Sequence, residues 1–357
     1  FKWANLASHN AGVTVVIVGI SIQPDTKRYL YSDEKITYDG GFSFDGGLKY
    51  DGTTRKETSY INAYLVSAEN VVIEKRSKPF GELANMPKGN MPYDAGHMLM
   101  NGEEKKHLVN QYPNAEKFIK RIKGSAEFIR GIERYCLWIE DCNLSEAISI
   151  EPIGKRIENV RNVRLASTDK SGRALAARAH QMRETNCASK FVTIIPSVSS
   201  ESREYLPVGV ETENTIVSNL AFALYDAPLW NMAIIASKLH LMWIATVCGQ
   251  LETRLRYSNT LGWNTFPVPK LTEKNKADLT RCAEDILLAR EAHFPATIAD
   301  LYDPETMPEN LRHAHERNDE VLERIYIGRR FKNDTERLEK LFELYTQMTA
   351  PTKALRG

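Results

Sequence analysis

Glu252, Arg254 and Arg256 stand at alternate positions of the run E-T-R-L-R, inside the segment 248–269, which reads C-G-Q-L-E-T-R-L-R-Y-S-N-T-L-G-W-N-T-F-P-V-P. An arginine fork matches the two major-groove acceptors of guanine, and a glutamate can accept from the amino group of cytosine. An acid and a guanidinium two residues apart therefore have the chemistry to read both halves of a C·G pair. On an extended strand the three charges face one side; on a helix they fan out by about 100° per residue. The competing reading is an exposed run of ion pairs worth little energetically. Spacing alone does not choose between them.

Something must hold these charges in place. The apolar stretch 229–247 predicts a buried helix whose polar continuation carries them. Strands are expected at 190–196 and 205–210, around an S-S-E-S-R turn, and at 134–139, with short β-like runs such as 70–74. Helices are expected at 116–128 and across the alanine-rich stretch 173–187. After residue 269 the texture turns charged and helix-forming, and 273–293, 304–326 and 334–348 have the periodicity of amphipathic helices. The fold class is α+β: a mixed α/β domain over 60–269 followed by a small helical C-terminal domain over 270–350. Ahead of these, residues 12–20 form a continuous β-branched run of the kind that lies inside a covered sheet. No strands precede it to supply that sheet, so residues 1–23 read as the last strand of a larger domain. Residues 24–59 read as a turn-rich linker or β ribbon, where Y-D-G-G, F-D-G-G and Y-D-G-T recur and D-G signals a hairpin turn. The nine-residue period of a calcium-binding repeat is absent.

The net charge of +1 conceals an uneven distribution, since residues 152–190 hold nine Lys or Arg against three Asp or Glu. That excess is a candidate phosphate-binding face, carried by Lys155, Arg156, Arg161, Arg164, Lys170, Arg173, Arg178 and Arg183. A solvated basic surface with no polyanion partner is the alternative. The five cysteines form no C-x-x-C pair, which suits a reducing cytoplasm, and neither a signal peptide nor a membrane span is apparent. Methyl transfer would need a glycine-bearing strand-to-helix turn for its cofactor and an N-P-P-[YF]-type loop for an adenine amino group. Asn90-Met-Pro-Tyr93 lacks the first proline of that loop and is read as a decoy. His313 and His315 lie on different faces of a helix and no zinc tetrad completes them, so no metal site is assigned. Glu103-Glu-Lys105 is an isolated fragment of a nuclease pattern. His240, Met242 and Trp243 read as core, and Trp263 and Phe266 as residues that close the domain.

Several long words in register carry a resemblance. Residues 89–96 (G-N-M-P-Y-D-A-G), 128–138 (F-I-R-G-I-E-R-Y-C-L-W), 195–209 (I-P-S-V-S-S-E-S-R-E-Y-L-P-V-G), 237–243 (S-K-L-H-L-M-W), 256–259 (R-Y-S-N), 263–269 (W-N-T-F-P-V-P) and 299–304 (A-D-L-Y-D-P) follow one another in a shared order, continued by Met307-Pro308 and Ala314-His315. In this the chain resembles the C-terminal part, target-recognition domain and helical tail, of the MmeI-like Type IIL restriction-modification enzymes. Those are single chains that join an endonuclease, an adenine-N6 DNA methyltransferase and a DNA-reading domain. The resemblance implies double-stranded DNA as partner, together with an upstream methyltransferase domain of the same protein. It implies S-adenosylmethionine in the parent enzyme, with Mg²⁺ if a nuclease is present, and no cofactor in this stretch. Phe1-Lys-Trp3 and Asn5 are similar to the closing motif of the catalytic domain, so Phe1 or Trp3 is the aromatic that packs against a flipped adenine. The positions of Glu252 and Arg254 discriminate the pair beside the methylated adenine, and the E-x-R form implies a C·G pair there. Arg256 has two readings, a second base position or an ion pair with Glu252. Arg203 has two as well, a phosphate contact or a brace of the serine turn through Glu201. A non-catalytic DNA specificity subunit is the alternative class, and a structural or RNA-binding protein a third.

Overall fold

The computed structural model describes residues 2–3, 13–14, 18–20, 22, 27–32, 54–251 and 254–350. In chain order, β1 (Lys2–Trp3) pairs with β2 (Val13–Thr14), and β3 (Arg28–Ser32) with β4 (Thr54–Thr58). Next come β5 (Leu99–Met100), α1 (Gly102–Gln111), β6 (Ile119–Lys123), α2 (Ser125–Arg130) and β7 (Tyr135–Leu137). Three helices follow, α3 (Leu144–Ser149), α4 (Glu151–Leu165) and α5 (Lys170–Ala174). A second β-rich stretch holds β8 (Phe191–Pro196), β9 (Val198–Ser199), β10 (Gly209–Thr212), β11 (Thr215–Val217) and β12 (Ala221–Tyr225). Then come α6 (Trp230–Ile235), α7 (Lys238–Val247), β13 (Gln250–Leu251) and β14 (Arg254–Arg256). The chain closes with α8 (Glu273–Glu291), α9 (Ile298–Leu301), α10 (Glu309–Ile327) and α11 (Asp334–Thr349).

The strands form small separate sheets, and the class is mixed α+β. One sheet runs β11-β6-β7-β5, a second β10-β8-β12, and a third β13-β14-β9. The first packs against α4, whose Ile153, Ile157 and Val160 recur at helical spacing and are buried with Phe118, Ile122 and Leu137. A second and larger core gathers α6 and α7 with the C-terminal helices: Trp230, Ile234, Trp243, Phe266, Leu279, Ile286, Leu311, Leu322 and Phe342 share one cluster. The tail helices are thus packed into the same core as the segment that carries β13 and β14.

Several sequence expectations change. The stretch 229–247 is two helices, broken at Ala236–Ser237, where the Ser237 hydroxyl accepts from His240 N–H and caps α7. α7 does not run on into the charged segment, because Cys248 is already extended. Residues 116–128 are not one helix: a 3₁₀ turn (Pro113–Phe118) leads to β6, which β7 and β11 flank on either side, and Gly124 starts α2. Pairing on both edges outweighs the local helical preference. Residues 70–74 join no strand, although Ile73 is buried and its N–H donates to the Tyr64 hydroxyl at 3.0 Å. The strand expected at 205–210 begins at Gly209. In the run 12–20 the strand is Val13–Thr14, and Val18 and Ile20 are exposed outside it. The three D-G turns lie outside the described residues, between the paired strands β3 and β4.

Candidate nucleic-acid interface

β13 and β14 form an antiparallel hairpin with Leu251 opposite Arg254 and Gln250 opposite Leu255. Of the charged run, Arg254 and Arg256 stand on the extended strand β14. Glu252 and Thr253 lie outside the described residues. β14 pairs on its other edge with β9, Leu255 against Ser199 and Arg256 against Val198. The faces of this sheet differ in kind. Ser199 is buried and Leu255 packs on the large core, whereas Arg254 and Arg256 are exposed. Alternation along a strand sends successive side chains to opposite faces, so the core side fixes which way both guanidinium groups point.

The support beneath the hairpin is dense. Tyr257, one residue past β14, donates its N–H to Ser197 O at 2.9 Å, and its hydroxyl lies 2.9 Å from His240 Nε2. His240 packs edge-on against Phe266 and Trp263. Burial holds the His240 imidazole neutral, its pKa pushed down to about 3. A π-helical turn, Asn259–Trp263, anchors the following chain: Asn259 Nδ2 donates to Met86 O at 2.8 Å and Trp263 Nε1 to Ala84 O at 2.7 Å. Gly262 is needed there, because a Cβ would come within 2.9 Å of the Ile244 side chain.

The serine turn after β9 is braced from two sides. Ser200 and Ser202 share a hydroxyl contact of 2.8 Å, and Arg203 donates to Ser199 Oγ at 3.3 Å. Arg203 is half-buried, and burial lowers its pKa against the favourable field of Asp303. On the far side Arg312 of α10 pairs with Glu204, and the Tyr205 hydroxyl donates to Asp319 at 3.2 Å.

The basic run divides into groups that can meet a phosphate and groups that are held internally. Lys155, Arg161 and Lys170 are exposed and make no ion pair among the described residues. Arg183 is exposed and pairs with Glu184 at 2.6 Å, while the exposed Arg173 donates to the carbonyls of Ser167 and Thr168. Arg156 is half-buried between Glu104 and the carbonyls of His97 and Leu99, and Arg178 is half-buried against the carbonyls of Met182 and Arg183. Arg164 is a correction, since it is fully buried and cannot reach a phosphate. Its guanidinium donates to five carbonyls, those of Pro92, Tyr93, Leu175, Arg178 and Gln181, at 2.7–3.0 Å. Three of these carbonyls lie in 173–187, which is why the helix expected there ends as α5 and one 3₁₀ turn (Leu175–Arg178).

Asn90 is fully buried, and its carboxamide bonds to the backbone of Asn186 and Val217 at 2.8–3.1 Å, which leaves nothing to offer an adenine amino group. Phe1 lies outside the described residues; Trp3 sits in β1, but its side chain does too. The contribution of Val198–Ser199 to the hairpin sheet escaped the sequence reading, because that pairing is non-local. Its trace in the sequence is the brief apolar-polar alternation of V-S just before the serine turn.

Comparison with known proteins now bears on this geometry. Residues 67–270 match the family described as MmeI, target recognition domain, and residues 271–352 match MmeI, C-terminal domain. The chain belongs to the MmeI family. It is 39% identical over 350 residues to DNA methyltransferase A of Bacillus subtilis (strain 168), covering 98% of this chain and 38% of that protein. It also superposes with a TM-score of 0.80 and 30% identity on the Type IIL restriction-modification enzyme MmeI, solved in complex with DNA, covering 98% of this chain and 45% of that one. The chain thus spans less than half the length of these two relatives. The boundary between the two matched regions falls at residues 270–271, just before α8.

Proposed function

We propose that this chain selects the target sequence on double-stranded DNA for an adenine-N6 methyltransferase of the restriction-modification type, its longer parent protein. The observation that carries the reading is the β13-β14-β9 sheet, which turns Arg254 and Arg256 to solvent while its other face is fixed on the core. A two-stranded ribbon fits the major groove, and arginine bonds bidentately to guanine O6 and N7. Glu252 and Arg254 discriminate a C·G pair, and Arg256 reads a second position. Lys155, Arg161, Lys170, Arg173 and Arg183 contact phosphates and set register rather than sequence. S-adenosylmethionine binding, methyl transfer to the flipped adenine and any Mg²⁺-dependent cleavage are assigned to the upstream part of the parent protein, in the cytoplasm.

The test is a charge exchange in the full-length protein: Glu252→Lys together with Arg254→Asp, followed by sequencing of the modified sites. The expected result is a methylated motif altered at one base pair, with G·C replacing C·G, and unchanged elsewhere. An unaltered motif in an active enzyme removes both residues from base reading.

A further inference from the structure

Two directly opposed residues of an antiparallel pair share a face, with Cβ atoms about 4.5–5.5 Å apart. Leu251 is opposed to Arg254, and Val198 to Arg256. The outward face of the sheet therefore carries Leu251, Arg254, Arg256 and Val198, while Leu255 and Ser199 face the core. Leu251 belongs to the edge strand, is 43% exposed, and has no place in any of the three core clusters. A lone exposed leucine is ordinary on a protein surface. This one differs in where it stands, across from the guanidinium that reads a guanine.

In the major groove the C5-methyl of thymine is the one apolar group on the base edges. Base pairs rise about 3.4 Å per step, less than the separation of two cross-strand Cβ atoms. A side chain opposite Arg254 then falls over a neighbouring pair. Resting on the hairpin reading above, we propose that Leu251 is a specificity residue that contacts the C5-methyl of a thymine in the base pair next to the one held by Arg254. Its isobutyl group can bury a methyl but can satisfy none of the donors and acceptors of a C·G edge, so it favours thymine both by contact and by exclusion.

The experiment uses the full-length protein and duplexes containing its modified motif, at one fixed salt concentration. Each thymine in turn is replaced by deoxyuridine, which lacks only the methyl, and each guanine by 7-deazaguanine, which lacks only the N7 acceptor. The wild type is expected to lose about fourfold in affinity at one thymine, the factor that burial of one methyl group carries. Leu251→Ala is expected to bind the natural duplex several-fold more weakly and to lose nothing further on the deoxyuridine duplex, whereas Leu251→Met keeps the discrimination. Indifference of the wild type to every deoxyuridine overturns the proposal, as does a Leu251→Ala penalty that adds in full to the deoxyuridine penalty. In either case a 7-deazaguanine penalty that disappears in Arg254→Ala leaves the hairpin reading standing. Absence of any 7-deazaguanine effect removes that reading as well.

Discussion

Two arginines three residues apart on α4 have opposite fates, and the difference is decided by which way the helix faces. Arg161 lies on the exposed side, while Arg164 continues the stripe of Ile153, Ile157 and Val160 and is fully buried. A guanidinium carries five N–H donors, and here five backbone carbonyls receive them. Removing the charge leaves those carbonyls buried without a donor, so Arg164→Met is expected to cost on the order of 3–5 kcal/mol of stability and to abolish DNA binding by unfolding. Thermal denaturation checks it directly. Arg161→Ala should behave in the reverse way, leaving the melting temperature unchanged. Its affinity for DNA of any sequence should fall, with the salt dependence of log K shallower by about 0.9. A salt titration on cognate and random duplexes separates the two. An Arg161→Ala variant with an unaltered salt slope would remove this residue from the phosphate face.

At the level of elements, what the sequence revealed was whatever depends on near neighbours. The amphipathic runs after residue 269 announced α8, α10 and α11, and the alternation of charges at 252–256 allowed a strand or a helix, of which Arg254–Arg256 is a strand. What stayed hidden depends on distant partners. β6 exists because β7 and β11 accept it from both sides, β9 because β14 lies beside it, and the helix expected at 173–187 is cut short because Arg164 draws its carbonyls inward. The candidate site follows the same rule. Its residues were visible in sequence, but its platform was not, since Tyr257, His240 and Trp263 meet only after folding. That platform gives a prediction for the hairpin as a unit. His240 Nδ1 is already buried without a partner, and Tyr257→Phe would strip Nε2 of its partner too. A loss of about 1–3 kcal/mol is expected, with amide exchange accelerated most at residues 249–256, directly above the lost bond. Uniform acceleration along the whole chain would mean that Tyr257 stabilises the fold without positioning the hairpin.

The described residues around the larger core are expected to unfold together, because buried polar groups of α10 bond to α6, α7 and Tyr205. Asn318 donates to Ala233 O, Asp319 accepts from Lys238 N–H and the Tyr205 hydroxyl, and His315 Nε2 lies 2.7 Å from the Tyr302 hydroxyl. A chain cut after residue 270 would expose Trp243, Phe266 and Ile234 together, so it is expected not to fold, as loss of near-UV circular dichroism would report. Buried groups of the same core set a pH response. Burial pushes His240 down to about 3, and burial together with the charges of Arg290 and Lys238 pushes His315 well below its ordinary value. Both imidazoles are neutral in the fold, so their contribution is complete above the unfolded pKa of about 6.5 and is lost as pH falls, at about 1.4 kcal/mol per pH unit for each proton. Asp319 works in the opposite sense. Burial raises it to about 7, against the Lys238 N–H bond that favours the carboxylate, so its contribution is complete below about 4 and lost as pH rises toward 7. Between about pH 4 and 6.5 two protons taken up by the unfolded chain oppose one held by the fold. From these three groups stability should therefore rise with pH across this window, at roughly 1.4 kcal/mol per unit. Asp319→Asn removes the opposing contribution and should about double that slope, read as the urea midpoint against pH. A variant whose slope stays that of the parent would mean that Asp319 is ionised in the fold, and that its bonds to Lys238 and Tyr205 outweigh the cost of burial.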